Sequence, residues 1–208
     1  MKATKKYQIR KDLTKIVDGS IVYRIEALKD FSFIKKGSLG GWVESENNLS
    51  QEGICWVSDN AVIYGKAQVY ANAKVWGKAF IHDNAKVGGC ALIYDNAEIF
   101  EHAKVCGYAE INNNAKVYGS VIVNGYAEIG GNAEVNTDSS YYAIKNMWSS
   151  GRYFTYTRSN KMWRVGCFYG TSEQLIEKAY KDSKVSGQCY ESVVKWVEDL
   201  YRIIEDNK

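Results

Sequence analysis

Two histidines, His82 and His102, are the side chains whose ordinary pKa best suits a general acid or base near neutral pH. Each has a carboxylate beside it in the sequence, Asp83 after the first and Glu101 before the second. A general base also needs a partner that orients it and a pocket for the substrate. If His82 and Asp83 both lie in a strand, their side chains point to opposite faces. We therefore expect surface histidines rather than a catalytic centre.

A basic and aromatic stretch lies between Asp138 and Glu173, where the chain has no acidic residue. Aromatic rings can stack on nucleobases, and Arg or Lys side chains can hold phosphates. The candidate ligand-binding residues in this stretch are Arg152, Phe154, Tyr156, Arg158, Lys161, Trp163 and Arg164. The same composition is expected of a small module that buries its aromatic rings and leaves its basic side chains in water.

The cysteines and histidines predict neither a metal site nor a disulfide framework. The five cysteines are scattered without CxxC spacing, which favours reduced thiols in a cytosol. A histidine-only metal site needs three histidines, and this chain has two, so another ligand type would have to substitute. We therefore expect no metal ion and no cofactor.

A six-residue period organises the middle of the chain. Thirteen hexads follow one another from Asn60 to Thr137 without an insertion, beginning NAVIYG, KAQVYA and NAKVWG, and ICWVSD from Ile54 fits as an earlier unit. The second position is Ala or Val and the fourth is Val or Ile, so both face one side of a short strand. Gly, Asn and Asp at the ends of the units suit turns. A fixed short period of this kind predicts a solenoid.

These hexads resemble the hexapeptide-repeat family, in which an aliphatic residue is followed by a small residue four positions later. The resemblance implies a left-handed parallel β-helix whose triangular coils each contain three hexads. It also implies a homotrimer packed through one solenoid face. Acyl transfer from acyl-CoA is the commonest activity of the family, with a histidine near a loop that interrupts the coils. This sequence has no interrupting loop, so acyl transfer is the alternative rather than the expected function.

Three hexads per coil place residues 18 positions apart in one column, with about 4.8 Å between rungs. On one face, the fifth positions predict an aromatic column of Tyr64, His82, Phe100 and Tyr118. The fifth positions of another face are Trp76, Tyr94, Asn112 and Gly130. An exposed ladder of rings usually contacts another surface. The aromatic column is therefore predicted to be a subunit interface or a dock for the terminal module, with a ligand platform as the alternative.

The segment before the repeats predicts a cap for the open end of the solenoid. Residues 6–11 and 20–28 predict strands joined by an Asp-Gly turn. The string GGWVESENNLSQEGICW resembles the N-terminal cap of uncharacterised hexapeptide-repeat proteins of bacteria and their phages. That resemblance brings no settled activity, although small phage proteins often block host defence.

The segment after the repeats predicts a small α+β module. Residues 152–157 and 161–168 predict a hairpin. A capping box from Thr171 to Gln174 predicts a helix that continues to about Asp182. Apolar residues at helical spacing predict a second helix over residues 189–206.

Together these patterns predict a mainly β protein in three parts. Residues 1–53 form a β cap, residues 54–137 a left-handed parallel β-helix solenoid, and residues 138–208 a C-terminal α+β module. No stretch approaches the roughly 18 to 20 apolar residues that span a bilayer, and no apolar signal core follows the basic N-terminus. We expect a cytoplasmic protein, located in the host cytoplasm if a phage encodes it.

The expected function is non-catalytic binding by an oligomer, with a homotrimer implied by the resemblance. The partner is expected to be a nucleotide-like small anion that is sequestered, or a host defence protein that is blocked, as in phage anti-defence proteins. The net charge is only +3 and no RRM or helix-turn-helix pattern occurs, so long nucleic acid is not expected. An acyl-CoA-dependent acyltransferase and a purely structural scaffold are the two alternatives.

Overall fold

The computed structural model describes residues 5–148 and 151–207. The chain separates into two compact units between Asp138 and Ser139. The first unit contains an antiparallel cap and a parallel β-solenoid, and the second contains a small antiparallel sheet and two helices. The mainly β fold class predicted from the sequence, with a solenoid and a C-terminal α+β module, is confirmed.

The cap begins with β1 (Tyr7–Val17), β2 (Ser20–Ala27) and β3 (Leu39–Val43). The strands β1 and β2 pair antiparallel, as do β2 and β3, and β3 then pairs in parallel with the first strand of one solenoid face. The two predicted cap strands are therefore present, although β1 continues six residues beyond the predicted end at residue 11. The cap covers the sheet edge that this face would otherwise expose.

The hexads form a parallel solenoid of about five coils with three faces. Each hexad contributes one two-residue strand. In chain order these strands, β4 to β17, are Trp56–Val57, Val62–Ile63, Gln68–Val69, Lys74–Val75, Phe80–Ile81, Lys86–Val87, Leu92–Ile93, Glu98–Ile99, Lys104–Val105, Glu110–Ile111, Lys116–Val117, Ile122–Val123, Glu128–Ile129 and Glu134–Val135. Strand partners lie 18 residues apart, as predicted, so that Glu98 lies between Phe80 and Lys116 in its sheet.

The second and fourth positions of the hexads fill the solenoid interior. Ala97 and Ile99 illustrate the pattern, since both are fully buried. Alanine leaves room at the narrow part of the coil, while the β-branched side chain fills the middle of the face. Burial of one such Ile contributes about 1.5–3 kcal/mol. The period-two prediction of an inward-facing set is therefore confirmed.

The sixth position turns each corner with a positive φ. Glycine supplies this conformation at several corners, but Asp83, Glu101 and Asn113 also adopt it, with φ of 56°, 55° and 54°. Side chains at these corners accept hydrogen bonds from the next coil. Asp83 Oδ2 accepts from the Glu101 N–H at 3.1 Å, and Glu101 Oε2 accepts from the Gly119 N–H at 2.9 Å. The corners are therefore linked by a ladder that runs along the solenoid.

Two buried polar side chains close the cap onto the first coil. The fully buried Asn48 donates to the carbonyl oxygens of Gly65 and Ala67 at 3.0 and 2.9 Å. Lys6 is only 1% exposed and donates to the carbonyl oxygen of Cys55 at 3.0 Å, with the Cys55 Sγ at 3.2 Å. Burial lowers the pKa of Lys6 and raises that of Cys55. These bonds satisfy polar groups that the solenoid end would otherwise bury without partners.

The second unit packs one antiparallel sheet against two helices. Its strands, in sheet order, are β18 (Tyr141–Lys145), β19 (Tyr153–Thr157), β20 (Met162–Val165) and β21 (Phe168–Gly170). The predicted hairpin corresponds to β19 and β20, but the predicted extension of its second strand to residue 168 was wrong, because β20 ends at Val165 and the chain turns at Gly166, with φ of 56°. The two outer strands were not predicted, because each is a short aromatic segment without clear alternation.

The helices are α1 (Ser172–Asp182) and α2 (Lys184–Asp206). The capping box of Thr171 and Gln174 is confirmed. The predicted start of the second helix at residue 189 was wrong, because the Ser183 side chain caps this helix by accepting from the Ser186 N–H at 3.0 Å. Within the described part of the chain, no helix has the length and apolar character needed to cross a bilayer.

The corner geometry predicts that two similar glycine substitutions differ in cost. Gly107 and Gly125 have nearly equal φ, 69° and 67°. A Cβ on Gly107 would lie 2.8 Å from the Gly125 nitrogen, whereas a Cβ on Gly125 would meet no atom within 4 Å. We expect Gly125→Ala to lose about 1–2 kcal/mol through its left-handed backbone alone. Gly107→Ala should lose at least about 1 kcal/mol more through the added clash.

Urea denaturation of both variants measures this difference directly. Equal midpoints for Gly107→Ala and Gly125→Ala would contradict the close approach of successive corners.

Candidate functional site

The imidazole of His82 lies between two carboxylates. Its Nδ1 is 3.3 Å from Asp83 Oδ2, and its Nε2 is 3.2 Å from Glu98 Oε1. The argument that Asp83 points away from His82 holds only if both residues lie in a strand, and it does not apply because Asp83 occupies a corner with positive φ. Since both ring nitrogens face carboxylates, His82 is held in place and does not direct a nitrogen into an open substrate site.

His102 instead borders an open groove along one solenoid corner. This corner groove has a volume of about 540 Å³ and is lined by Gly65, Lys66, Asp83, Asn84, Glu101 and His102. Its two carboxylates already accept backbone hydrogen bonds in the corner ladder. His102 and Lys66 both line the groove and are exposed. An imidazole can serve as a general base, and a lysine ammonium can attract an anion. The groove therefore has the elements of a general-base site, but within the described part of the chain no side chain forms a hydrogen bond that orients the His102 imidazole.

The predicted aromatic column is present on one solenoid face. His82 stacks on Tyr64 with ring centroids 5.0 Å apart and on Phe100 at 5.2 Å, and Phe100 stacks on Tyr118 at 4.9 Å. Neighbouring rings are within 14° of parallel. The Tyr64 hydroxyl donates to Asp18 Oδ2 at 2.8 Å, and burial together with this bond raises the pKa of Tyr64. Four rings thus form a continuous, half-buried strip.

The aromatic residues predicted to bind a ligand in the second unit lie mostly in its core. Phe154 and Trp163 are fully buried, and Tyr156 is 6% exposed. They pack with Leu175 and residues of α2 in one hydrophobic cluster. The Trp163 Nε1 donates to the Ser172 hydroxyl at 3.0 Å. Since these rings are enclosed, they provide no free face on which a nucleobase could stack.

The basic residues of the same predicted set remain nearer the surface. Arg152 and Lys161 are exposed, and Arg158 and Arg164 are half-buried. The guanidinium of Arg158 pairs with Glu205 at 2.8 Å and lies over the Tyr201 ring. The structure therefore does not bring the basic and aromatic members of this set together on one open surface.

A second cavity in the first unit was not predicted from the sequence. This tryptophan pocket has a volume of about 320 Å³, and its lining includes Phe33, Trp56, Ser58, Asp59, Lys74 and Trp76. One wall of this pocket could have been predicted from the sequence, because Trp56 and Lys74 lie 18 residues apart and Trp76 follows two positions later. Phe33 has no repeat signal, since it comes from the cap.

Comparison with known proteins gives one partial match. The uncharacterized acetyltransferase YdcK of Escherichia coli (strain K12) is 40% identical over 50 residues. The match covers 24% of this chain and 15% of the length of that protein. No family model matches the chain. The six-residue period, the parallel coils and this partial similarity fit a hexapeptide-repeat β-helix.

The burial of the hairpin rings predicts that they stabilise the fold. We expect Phe154→Ala to lose about 3–5 kcal/mol of stability through lost packing and the resulting cavity. The matched surface variant Lys161→Ala should stay within about 0.5 kcal/mol of the wild type. Thermal denaturation followed by the helical circular dichroism signal compares the two variants. An unchanged melting temperature for Phe154→Ala would contradict the assignment of this ring to the core.

Proposed function

We propose that the protein is an oligomeric binding scaffold that holds its ligand or partner without chemical conversion. The observation that carries this proposal is the aromatic column. Its rings are stacked at regular intervals along one face and are only half-buried within the single chain. A strip of this kind offers apolar surface that a second copy of the chain can cover.

The charges beside the aromatic column suit contact between identical faces. Glu98 and Lys116 occupy neighbouring rungs of the same sheet, with an ion pair of 3.3 Å between them. Glu134 occupies the next rung. Because both signs of charge occur on this face, two identical faces can place opposite charges near one another instead of like charges. We propose a trimer, the arrangement that the hexapeptide-repeat resemblance implies.

In this proposal, the oligomer binds a nucleotide-like anion or a host defence protein and sequesters it. We propose a phage anti-defence role as its physiological form, because small phage proteins often block host defence, although the resemblance of the cap itself brings no settled activity. Two features favour binding over catalysis. Both nitrogens of His82 face carboxylates, and the hexads continue without the loop that the family's transferases use.

The assembly proposal predicts a specific effect of charge in the aromatic column. We expect Phe100→Asp to convert the trimer to monomers, because a carboxylate in a covered apolar strip has no compensating partner. Tyr108→Asp is the matched control, since Tyr108 also stacks on a neighbouring ring, Tyr126, but lies next to a corner rather than on this face. Sedimentation equilibrium gives the mass of each species, and circular dichroism checks that both variants fold. A monomeric wild type, or a trimeric Phe100→Asp, would contradict the proposal.

Acyl transfer from acyl-CoA is a second candidate function, favoured by the corner groove and by the relative named as an acetyltransferase. In this alternative, His102 removes a proton from the acceptor as it attacks the thioester carbonyl, and the thiolate of CoA leaves and is protonated. Lys66 holds the phosphates of CoA by charge. A neighbouring copy would have to complete the substrate pocket.

The second candidate predicts that loss of the imidazole slows thiol release from acetyl-CoA by about 10²- to 10⁴-fold. His102→Asn tests this effect with a panel of amine and hydroxyl acceptors. Lys66→Ala should raise the KM for acetyl-CoA, whereas Lys78→Ala, in the equivalent groove at another corner, should leave it unchanged. The absence of thiol release by the wild-type protein with every acceptor would exclude this candidate for the panel tested.

A further inference from the structure

The tryptophan pocket occupies a gap at the end of a stack of two rings. Trp76 stacks on Tyr94 with ring centroids 4.5 Å apart and an interplanar angle of 6°. Val57 pairs with Val75, and these two residues are followed by Ser58 and Trp76. The rung on the other side of Trp76 therefore carries Ser58. A serine side chain is too small to cover an indole. Among the described residues, the ring contact of Trp76 is therefore confined to one face.

The walls around this gap are aromatic, and they include one ammonium group. Trp56 is 2% exposed and forms the inner wall, where Phe31 packs edge-on against it at 5.4 Å. Phe33 comes from the same cap segment as Phe31 but is 63% exposed. It lies across the pocket with the Lys74 Nζ 4.6 Å from its ring centroid. The pocket therefore combines flat apolar surfaces with a cation, and among the described residues no carboxylate lies within 4 Å of the Lys74 ammonium.

We propose that the tryptophan pocket binds a nucleotide, with the nucleobase stacked on the uncovered face of Trp76 and the phosphate held by Lys74. The base would continue the aromatic stack at the rung where Ser58 leaves space. Stacking accepts any base, since every base has a π-face, while Lys74 requires a negative charge. The volume of about 320 Å³ lies at the lower end of ligand pockets, which suits one base with its sugar.

The polar groups of the pocket fit this ligand class better than a purely apolar one. Ser58 can donate or accept a hydrogen bond at the edge of a base. Asp59 is held at the mouth because its Oδ2 accepts from the Gly77 N–H at 3.1 Å. A purely apolar ligand would leave the Lys74 ammonium without a new partner. The inference rests on the proposed binding function in so far as it names the anion that the scaffold holds.

Isothermal titration calorimetry of the full chain with adenosine 5′-monophosphate, adenosine and ribose 5-phosphate separates the two parts of the recognition. We expect the monophosphate to bind more tightly than either fragment, because only it engages both Trp76 and Lys74. Coenzyme A and cyclic di-AMP carry the same base and phosphate chemistry, and their relative affinities identify the physiological source. Absence of binding by all of the phosphorylated adenine compounds would overturn the inference.

Four variants test the position of the ligand. Ser58→Tyr should fill the gap with a ring from the chain itself and abolish binding while the fold is kept. Trp76→Leu should weaken binding by about ten- to a hundredfold through loss of stacking. Lys74→Met should abolish the advantage of the monophosphate over adenosine. Lys104→Met is the matched control, because it removes an exposed third-position lysine from another face and should leave affinity unchanged.

The outcomes separate this inference from the assembly proposal. Binding of the monophosphate that persists in both Ser58→Tyr and Trp76→Leu would overturn the pocket as the site. A wild-type trimer that binds no phosphorylated adenine compound would overturn the inference about the pocket and support the assembly proposal. A monomeric wild type that binds the monophosphate through Trp76 would support the inference about the pocket and overturn the assembly proposal.

Discussion

The structure of the first unit depends on one constraint: each coil must close so that every strand meets the strand 18 residues later in register. Backbone hydrogen bonds between successive coils enforce this register, for example from the Glu98 N–H to the Ala115 carbonyl oxygen at 2.9 Å. Closure requires a left-handed corner at the sixth position and a small side chain at the second. Once both conditions are met, side chains at equivalent positions must stack in columns. The aromatic column, the corner ladder and the stack of Trp76 on Tyr94 all follow from this geometry.

Much of this could be predicted from the sequence because the period is fixed and local. The hexads locate the strands, and the spacing of 18 identifies Tyr64, His82, Phe100 and Tyr118 as neighbours before any coordinates are known. The second unit has no such period, and there the sequence could not distinguish a ligand surface from a core. Phe154 and Trp163 alternate in the same way in either case, and only the packing of α2 against the sheet decides between the two.

Other features escaped prediction because they depend on exceptions to the repeat. The contact between His82 and Asp83 arises because the corner residue leaves the strand conformation, which reverses the expected direction of its side chain. The tryptophan pocket needs Ser58, a small residue next to Trp76 in its column, and Phe33 from a cap segment distant in sequence. Regular positions therefore specify the scaffold, while departures from regularity create the cavities in which binding can occur.

The corner groove and the tryptophan pocket differ in how many of the groups that each proposed function needs are present within one chain. In the corner groove, the carboxylates of Asp83 and Glu101 are already used by the ladder that joins the corners, so they are poorly placed to orient His102. General-base chemistry there needs a contribution from a second copy of the chain. The tryptophan pocket, by contrast, has its stacking surface, its cation and its polar edge within one unit of one chain. Because the proposed binding of a nucleotide needs no orienting relay, it does not require a second copy of the chain, whereas the general-base chemistry proposed for the groove does.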